Sequence, residues 1–573
     1  MSILDYTFRM QNSSGTQIER QSETHRQPWK DKRRAALNFL LLTTVFSIAY
    51  AQSPLYTSNQ NQYFLHGLAQ AGYGYLNQDW LANTPDPTPV FSALVTLTYR
   101  ITHLPVLFYL FYALLMGIYI FSLLGIVTSL YPLRSSRAKF LSFLALLILV
   151  HSAAWRFAIS RSLGVNWTYI LEDGVADQRL LGPVFEPSTF AVLLILSIYL
   201  FMHHKPYLAA ISAALAATVH PTYLLSAAGL TLAYMLVTAI ESQTLEKRQV
   251  TASLANQLTP RFQNQIQGAP ATPPKKKNKA WLKPFLIGGL ALLVVLPILV
   301  YVFVNFGDTP RETSARAQDI LVNYRIPHHA LINWWWDATA VVKILLVAAA
   351  LYLTRKNRLF FILLVLSLVA AGLTILQVLL KSNMLALIFP WRISIILVPL
   401  ATAILLAELV SAAFRYLGLL RQRRFQNILT ISSLLLISAV VLVGAIRFVL
   451  DLQRSASATE RPLEAYVAVH HTSGQVYLTP TKMQDFRLRT GSPVYIEFKS
   501  IPYQDANVLE WYHRIQLADQ FYKKGDCTLL NEMASQGGVT HLVLENGAPG
   551  QACSHIRPIY KDANYSLFAL ETP

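Results

Sequence analysis

Long apolar segments alternate with short polar ones over the first 450 residues of the chain. Stretches such as 105–130, 284–306 and 428–450 are long enough to cross a hydrocarbon core of about 30 Å, which takes about 20 helical residues. The pattern therefore predicts a polytopic α-helical membrane protein with about eleven spans. The predicted spans are 35–51, 105–130, 139–154, 189–203, 206–219, 221–240, 284–306, 338–354, 359–380, 393–414 and 428–450.

Basic residues between these segments predict the orientation. Lys and Arg concentrate at the end of the N-terminal tail 1–34 and in every second connection, above all in 241–283. The positive-inside rule then places the N-terminus in the cytoplasm and the C-terminus outside. The two weakest spans, 189–203 and 206–219, would preserve this orientation if both were absent. The sequence ending at Ala51 resembles a signal-peptidase site, but its leader is long and contains acidic residues, so an uncleaved first helix is expected.

This topology divides the chain into a cytoplasmic tail (1–34), a transmembrane domain (35–454) and an extracytoplasmic domain (455–573). The connections predicted outside are 52–104, 155–188 and 307–337. Residues 89–104 are too polar and short for a span and predict a helix lying at the membrane interface.

The extracytoplasmic domain has a different pattern, in which β-like runs alternate with helical ones. This is typical of a small α/β domain. The predicted strands are 475–478, 494–498, 540–544 and 565–570, and the predicted helices are 508–521 and 527–536. Cys527 and Cys553, the two cysteines of the chain, lie in this domain. In an oxidising bacterial compartment they predict a disulfide, and two free buried thiols are the alternative.

Composition narrows the function. The chain is 53% hydrophobic and 14% charged, whereas soluble proteins carry about 25% charged residues. This excludes a disordered or collagen-like chain and argues against a soluble enzyme. The net charge of +18 could suggest nucleic acid, but the charge lies in short loops and no nucleic-acid motif accompanies it. Membrane lipids are the predicted partners instead. The basic connection 241–283 could touch anionic lipid, although a solvated loop explains it equally.

The predicted spans contain little charge, with Glu408 as the one acid inside them. This argues against an ion transporter, which needs intramembrane carboxylates, and directs attention to the outer connections. The first of these is dense in amides and aromatic residues, a composition suited to a sugar or a lipid headgroup. Its Asp79, beside Trp80, could act as a general base or a metal ligand, and a turn or helix-capping aspartate is the alternative.

The second outer connection carries adjacent acids, Glu172 and Asp173, among several arginines. The two carboxylates could bind Mg²⁺ or Mn²⁺, or they could form surface ion pairs. Glu186 lies at the mouth of the next predicted helix in an apolar setting. His220 lies between two spans, where a hydrogen-bonded structural histidine is the commoner interpretation.

Arginines in the third outer connection could bind an anionic phosphate through paired N–H donors. Arg311, Arg316 and Arg325 belong to this connection, and Arg392 stands at the outer start of another span. The tryptophan run 334–336 is typical of an interfacial aromatic belt.

With these features the chain resembles the GT-C superfamily of membrane glycosyltransferases, which use polyprenyl-phosphate-linked sugars. The resemblance implies that Asp79 is the first-loop acid, that Glu172 or Asp173 is the second, and that the arginines bind the lipid phosphate. Many members carry two adjacent acids in the first loop, whereas this chain has Gln78 before Asp79.

The chain also resembles uncharacterised bacterial polytopic proteins of the DUF6798 type, of cyanobacterial character. This resemblance rests on the first-loop sequence SPLYTSNQNQYFLHGLA from Ser53 and on the tail stretches 486–491 and 510–514. It implies no established activity.

The leading hypothesis is a glycosyltransferase at the outer face of a bacterial inner membrane. Asp79, Glu172 and Asp173 are its predicted catalytic or metal-binding residues. The donor is a polyprenyl-phosphate sugar, and the acceptor is an undetermined glycan, lipid or protein. The alternative is a non-enzymatic protein, either a transporter of lipid-linked glycans or an assembly scaffold. The predicted substrate-binding residues are Trp80, Glu186, His220, Arg311, Arg316, Arg325 and Arg392.

Overall fold

The computed structural model describes residues 28–257, 280–307 and 309–571. The predicted tail 1–34 and the basic connection 241–283 therefore lie partly outside the described residues. Each of the eleven predicted apolar segments corresponds to a helix. The helices before residue 170 are α1 (Pro28–Tyr50), α2 (Gln60–Tyr63), α3 (Leu65–Ala71), α4 (Pro89–Thr102), α5 (Leu107–Leu130), α6 (Arg137–Val150) and α7 (Ala153–Leu163).

The remaining helices of the membrane domain follow a short turn at Pro187–Ala191. They are α8 (Val192–Met202), α9 (Pro206–Val219), α10 (Leu224–Gln257), α11 (Lys283–Phe306), α12 (Arg311–Asp319), α13 (Pro327–Ala330), α14 (Ile332–Trp335), α15 (Ala338–Thr354), α16 (Arg358–Leu380), α17 (Asn383–Leu387), α18 (Ser394–Tyr416) and α19 (Arg423–Ala456).

Six helices of the described residues are long and apolar enough to cross a membrane. A seventh span results if α6 and α7, which meet at 59°, count as one. The bend arises at Ser152, whose hydroxyl accepts a hydrogen bond from Trp155 N and begins a new helix. Three further apolar helices are shorter. The polytopic helical architecture is thus confirmed, while the number of eleven spans stays a prediction.

The membrane domain has one large core built from α1, α5, α6, α8, α9, α10 and α18 together with the first outer connection. Helices at its periphery keep apolar side chains exposed. Leu293 of α11, Leu379 of α16 and Leu435 of α19 are 66%, 74% and 65% exposed. Such faces are favourable against lipid rather than water, which agrees with a multi-pass membrane protein.

The outer connections contain more helix than the pattern predicted. Helix α7 begins at Ala153 and continues into the predicted loop 155–188, and α12, α13 and α14 lie within the predicted loop 307–337. The helix predicted over 89–104 is present as α4. Its location at the membrane interface stays a prediction.

The tail is a small α/β domain, as predicted. Its four strands are β1 (Tyr477–Leu478), β2 (His541–Glu545), β3 (Ile556–Lys561) and β4 (Tyr565–Leu570), in the order β1-β2-β4-β3. The pair β1–β2 is parallel and the other two are antiparallel. The helices are α20 (Arg461–His470), α21 (Phe486–Thr490), α22 (Asp505–Lys524) and α23 (Cys527–Gly537).

One predicted strand of the tail is absent, and one strand that is present was not predicted. Residues 494–498 form a single bridge, between Val494 and Tyr477, rather than a strand. The N–H of Val494 is bound to Asp79 Oδ2 at 2.9 Å, so it is not free for strand pairing. Strand β3 was not predicted because it contains Pro558, which has no backbone N–H to donate. A proline is tolerated here because β3 lies at the edge of the sheet.

The predicted disulfide is confirmed. Cys527 and Cys553 are bonded, with their Cα atoms 5.6 Å apart. The bond ties the start of α23 to the loop before β3.

Candidate functional site

An apolar groove lies between α15, α16 and the start of α18, with a volume of about 490 Å³. Two of its wall residues, Ile344 and Ile375, are 46% and 59% exposed, so the groove opens on the outer surface of the helices. Because exposed apolar faces of membrane helices meet lipid, the groove is accessible from the bilayer. Other wall residues are Trp335, Trp336, Val347, Ala370, Trp391 and Leu397.

A polar connection borders the groove. Lys343 of α15 is 5% exposed and lines the groove, and its ammonium donates to the Gly174 carbonyl at 2.7 Å. Asp173 forms an ion pair of 2.9 Å with Arg179. Burial raises the pKa of the Asp173 carboxyl, and the neighbouring charge of Arg179 opposes that rise. The groove therefore combines apolar walls with one buried cation, and the ion pair of Asp173 with Arg179 lies outside its lining.

Glu172 belongs to a separate buried network. Its carboxylate is 3.3 Å from Arg156, whose guanidinium also donates to the carbonyls of His151 and Tyr50. The same guanidinium lies 4.2 Å from the centre of the Tyr50 ring. Glu172 thus joins the second outer connection to the end of α1. Glu172 and Asp173, although adjacent, are each neutralised by a different arginine.

A second group of polar residues lies where the connections predicted to be outside meet the tail; we call it the outer cluster. Ring contacts, a hydrogen bond and electrostatic interactions join its members, which are Tyr63, Glu186, His220, Arg325, Arg392 and Lys499. Glu186 is the single carboxylate among them. The positive charges of Lys499 and Arg392 both favour its charged form. Burial is the stronger influence and raises the pKa of Glu186 above its ordinary value.

Glu186 is 4% exposed and stands directly before the Pro187–Ala191 turn. Its Oε1 accepts a hydrogen bond of 2.6 Å from the Ser188 hydroxyl. Its Oε2 is buried and makes no hydrogen bond of ordinary geometry among the described residues, although the Asn59 side chain lies beside the carboxyl and favours its charged form. An unpaired buried carboxylate oxygen is costly, so this position is suited to a ligand that supplies a donor.

Arg392 is held in place by two side-chain acceptors. Its Nε donates to the Gln178 amide oxygen at 2.6 Å, and its Nη1 donates to the Thr222 hydroxyl. The guanidinium lies 5.7 Å from the centre of the Tyr223 ring and 5.1 Å from that of Phe389. These contacts leave further N–H donors for an anion.

His220 is buried beside Tyr63, with 5.7 Å between the ring centres. Burial and the charge of Arg392 lower the pKa of His220 far below its ordinary value, so the ring stays neutral. Its Nδ1 is buried and unpartnered within the described part of the chain. His220 therefore offers an unused hydrogen-bonding position close to Arg392.

The tail supplies the other side of the outer cluster. Arg325 donates to the backbone carbonyl of Lys499 at 2.6 Å and stacks on Phe498 at 4.9 Å. The Nε of Arg325 is buried without a described partner. Burial, and the mutual repulsion of the two cations, lower the pKa of Lys499. An anion placed between them would relieve that repulsion.

The groove and the outer cluster are neighbours. Trp391 lines the groove, whereas the next residue, Arg392, belongs to the cluster. Likewise Val175 lines the groove while Gln178 binds Arg392. The hydroxyl of Ser394 fixes the two segments together by accepting from Val175 N at 2.9 Å. An amphiphile in the groove would therefore have its polar end next to the cluster.

Four of the seven predicted substrate-binding residues meet in this cluster: Glu186, His220, Arg325 and Arg392. The other three lie elsewhere. Trp80 is covered by the Arg514 guanidinium, 4.3 Å from its ring centre. Arg311 is exposed at the start of α12, and Arg316 lines a separate cleft between α12 and α22.

Asp79 does not lie with Glu172 and Asp173; it is fully buried against the tail. Its Oδ1 accepts from Leu81 N, and its Oδ2 accepts from Arg487 Nε at 2.8 Å and Val494 N at 2.9 Å. Both carboxylate oxygens are therefore occupied by protein donors. The contact with Leu81 N is that of a turn aspartate, which was the alternative interpretation. Neither carboxylate oxygen is open to a substrate.

The amides of the first outer connection also bind the tail. Gln62 exchanges two hydrogen bonds with the backbone of Ile501, and Asn61 donates to Asp485 at 2.8 Å. At Gly74, a Cβ atom would lie 2.3 Å from the Gly491 carbonyl oxygen, so only glycine permits this close approach. The composition that suggested a sugar site thus serves to dock the tail.

Among the described residues, no three His, Cys, Asp or Glu side chains are grouped so that they could hold a metal ion. The predicted set of Asp79, Glu172 and Asp173 does not fit a common metal site, because each member is bound to a different arginine. The requirement for Mg²⁺ or Mn²⁺ stays a prediction.

Sequence reasoning missed two members of the cluster, Tyr63 and Lys499, and the two side chains that hold Arg392, Gln178 and Thr222. Tyr63 stands in the aromatic first connection, which was a usable signal. Lys499 is an ordinary lysine in a tail with many charges, and nothing in its local pattern indicates the contact with Arg325.

Residues 458–518 match a family described as Domain of unknown function (DUF6798). The predicted DUF6798 resemblance is confirmed for this segment, which includes the stretches 486–491 and 510–514. The segment also contains Arg487, which binds Asp79, and Lys499 of the outer cluster.

The solved structures that are similar to the chain include two with bound polyprenyl phosphates. One is ArnT from Cupriavidus metallidurans bound to undecaprenyl phosphate, at 10% identity and a TM-score of 0.43, over 94% of this chain and 99% of that one. The other is the archaeal oligosaccharyltransferase AglB from Archaeoglobus fulgidus in complex with an inhibitory peptide and a dolichol-phosphate. It is 11% identical with a TM-score of 0.42, and the match covers 90% of this chain and 70% of that one. No curated protein matches the sequence. Likeness at this level assigns no activity to this chain.

Proposed function

We propose that this protein is a glycosyltransferase that transfers a sugar from a polyprenyl-phosphate-linked donor to an acceptor at the outer face of a bacterial inner membrane. The observation that carries the proposal is the continuity between the lipid-accessible groove and the outer cluster. Trp391 and Arg392, adjacent in sequence, belong one to each. The many-helix domain with an outward soluble tail is also the architecture that the GT-C resemblance implies.

In this proposal the groove between α15, α16 and α18 holds the isoprenoid chain of the donor. Each buried methylene group contributes about 0.8 kcal/mol of binding. The phosphate lies at the outer cluster, where Arg392 offers unused N–H donors and Arg325 and Lys499 add positive charge. Charge-assisted bonds from arginine suit phosphate oxygens.

Glu186 is the proposed general base. Its free Oε2 accepts the proton of the acceptor hydroxyl while the hydroxyl oxygen attacks the anomeric carbon. The bond between that carbon and the phosphate oxygen breaks, and polyprenyl phosphate leaves with the electron pair. The cations of the cluster stabilise the charge that develops on it. Burial raises the pKa of Glu186, which makes it a better base near neutral pH than an exposed glutamate.

The test is the release of polyprenyl phosphate from a panel of polyprenyl-phosphate sugars by the purified full chain in lipid. Glu186→Gln is expected to lower the rate by about 10²- to 10⁴-fold while polyprenyl phosphate still binds. The wild-type rate rises with pH as Glu186 loses its proton, and the variant rate does not follow that rise.

Glu510→Gln is the matched control, because Glu510 pairs with Arg514 at a partly exposed site in the tail. Its rate should equal that of the wild type. Equal release by Glu186→Gln would remove Glu186 from the mechanism and keep the enzyme. If the folded protein turns over no donor at all, the enzyme proposal fails in favour of a transporter or a scaffold.

A further inference from the structure

A second polar pocket lies at the opposite end of the helix bundle, where α6 begins and α18 ends. Its volume is about 360 Å³. Helix α5 runs from the first outer connection toward this end, and its 24 residues extend about 36 Å at 1.5 Å per residue. The pocket is therefore about one membrane thickness from the outer cluster and independent of the proposed transfer reaction.

Two buried polar side chains line this pocket, Lys139 and Ser411. Lys139 is 6% exposed, and its charge is repelled by Arg415 and attracted by Glu408. Ser411 is 3% exposed, and its hydroxyl has no hydrogen-bond partner in the described part of the chain. Burying an unpaired hydroxyl is costly. A ligand with several acceptor oxygens would pair with the Ser411 hydroxyl and with the Lys139 ammonium.

The charge of the pocket is positive. Arg415 and Arg421 line it together with Lys139, and the acid that faces them is Glu408, 3.7 Å from Arg415. Arg421 is oriented by a hydrogen bond of 2.8 Å to the Arg415 carbonyl, which leaves other donors of its guanidinium free. Helix α6 begins here, capped by Ser136, and its N-terminal dipole adds positive potential.

We propose that this pocket binds a phosphate group, carried either by an anionic lipid headgroup or by a soluble phosphate. Lys139 supplies a buried charge, Arg421 a fork of donors and Ser411 a hydroxyl. Basic pockets between membrane helices at headgroup level recognise lipid phosphates in this way. The basic connections predict that this end of the bundle is cytoplasmic.

The experiment uses the full chain in bilayer discs of phosphatidylcholine with or without phosphatidylglycerol. Phosphatidylglycerol that stays bound after transfer to detergent is counted by mass spectrometry. We expect Lys139→Gln and Arg421→Gln each to lower its retention about fivefold. Arg421 is exposed, so its variant tests the site even if Lys139→Gln does not fold.

Arg424→Gln is the control, because it removes the same charge from an exposed residue outside the pocket at the same end. It should retain phosphatidylglycerol as the wild type does. An equal loss in this variant would indicate a diffuse basic surface and overturn the proposal.

A second arm adds inorganic phosphate to discs of phosphatidylcholine alone and follows the unfolding temperature. A rise that Arg421→Gln abolishes, without retention of phosphatidylglycerol, supports the site and assigns it to soluble phosphate. Retention of phosphatidylglycerol, with an unfolding temperature that inorganic phosphate does not change, assigns the site to a lipid headgroup. If neither occurs in the wild type, the pocket is not a phosphate site.

Discussion

The Nε atom of Arg487 donates a hydrogen bond of 2.8 Å to Oδ2 of Asp79, a residue 408 positions earlier in the chain. The two side chains are 2% and 0% exposed, and the other side of the guanidinium is 3.1 Å from Glu497. This buried triad fastens the first outer connection to the tail. It positions the segment that carries Lys499 against the membrane domain.

Asp79→Asn should destabilise the docked tail by about 3 to 5 kcal/mol, because it leaves Arg487 with an incomplete set of buried charges. In either orientation the new amide nitrogen would also face donors, either Arg487 and Val494 N or Leu81 N. Protease resistance and amide hydrogen exchange of the tail measure the effect.

The control for this prediction is Glu510→Gln, which removes a partly exposed ion pair and should cost less than about 1 kcal/mol. In the triple variant Asp79→Leu with Arg487→Met and Glu497→Gln, part of the lost stability should return, because no charge of the triad remains buried. Equal effects of Asp79→Asn and Glu510→Gln would show that the triad does not hold the tail.

The stability of the tail should depend on pH through Glu497. Burial raises the pKa of its carboxyl from 4.5 to about 7. Between these pH values Glu497 keeps its proton in the folded state and loses it in the unfolded chain. The free energy of unfolding therefore falls as the pH rises from 4.5 through 7. The slope contributed by this group is up to about 1.4 kcal/mol per pH unit.

Thermal unfolding of wild type and Glu497→Gln across this pH range measures that contribution. The variant curve should be flatter. Glu545→Gln, at the exposed end of β2, is the control and should run parallel to the wild type. Parallel curves for Glu497→Gln and wild type would contradict the assignment.

A bulky residue in the apolar groove should block the donor lipid. Ala370→Trp places an indole within the cavity of about 490 Å³. Bound polyprenyl phosphate should fall at least about tenfold, since losing contact with two methylene groups accounts for that much. Retention of the lipid after purification in detergent is the measurement.

Leu379→Trp makes a similar change on the same helix at a side chain that is 74% exposed. It should leave lipid retention unchanged. If both variants retain polyprenyl phosphate as the wild type does, the isoprenoid chain does not occupy this groove.

Removing the disulfide should lower the stability of the tail by about 3 kcal/mol on the chain-entropy model, because the bond closes a loop across 26 positions. The double variant Cys527→Ala with Cys553→Ala tests this without creating a free thiol. Reductant should lower the unfolding temperature of the wild type to that of the variant and leave the variant unchanged. A reductant effect on the variant would indicate another cause, since the chain has no other cysteine.

Local features were predictable from the sequence. The apolar segments appear as helices because span length and helical hydrogen bonding depend on neighbouring residues alone. The same holds for helices α22 and α23 of the tail. Strand β3 was not predicted because a proline such as Pro558 usually indicates a break between strands. The structure tolerates this proline because β3 lies at the edge of the sheet.

The site was predictable only in part. Glu186, His220, Arg325 and Arg392 stood out because polar residues beside apolar spans are costly without a role. Asp79 stood out for the same reason, yet its partner Arg487 is 408 positions away, and no local pattern indicates that pairing.

The sequence by itself determined the helical membrane architecture, the α/β tail and the cysteines available for a disulfide, because these follow from composition and short-range periodicity. The tertiary structure alone decided which polar residues meet. It placed Asp79 in a structural ion pair and brought Lys499 of the tail to Arg325 at the outer cluster. The physical reason is that a buried charge must be compensated, and the compensating group can come from any part of the chain that folding brings close.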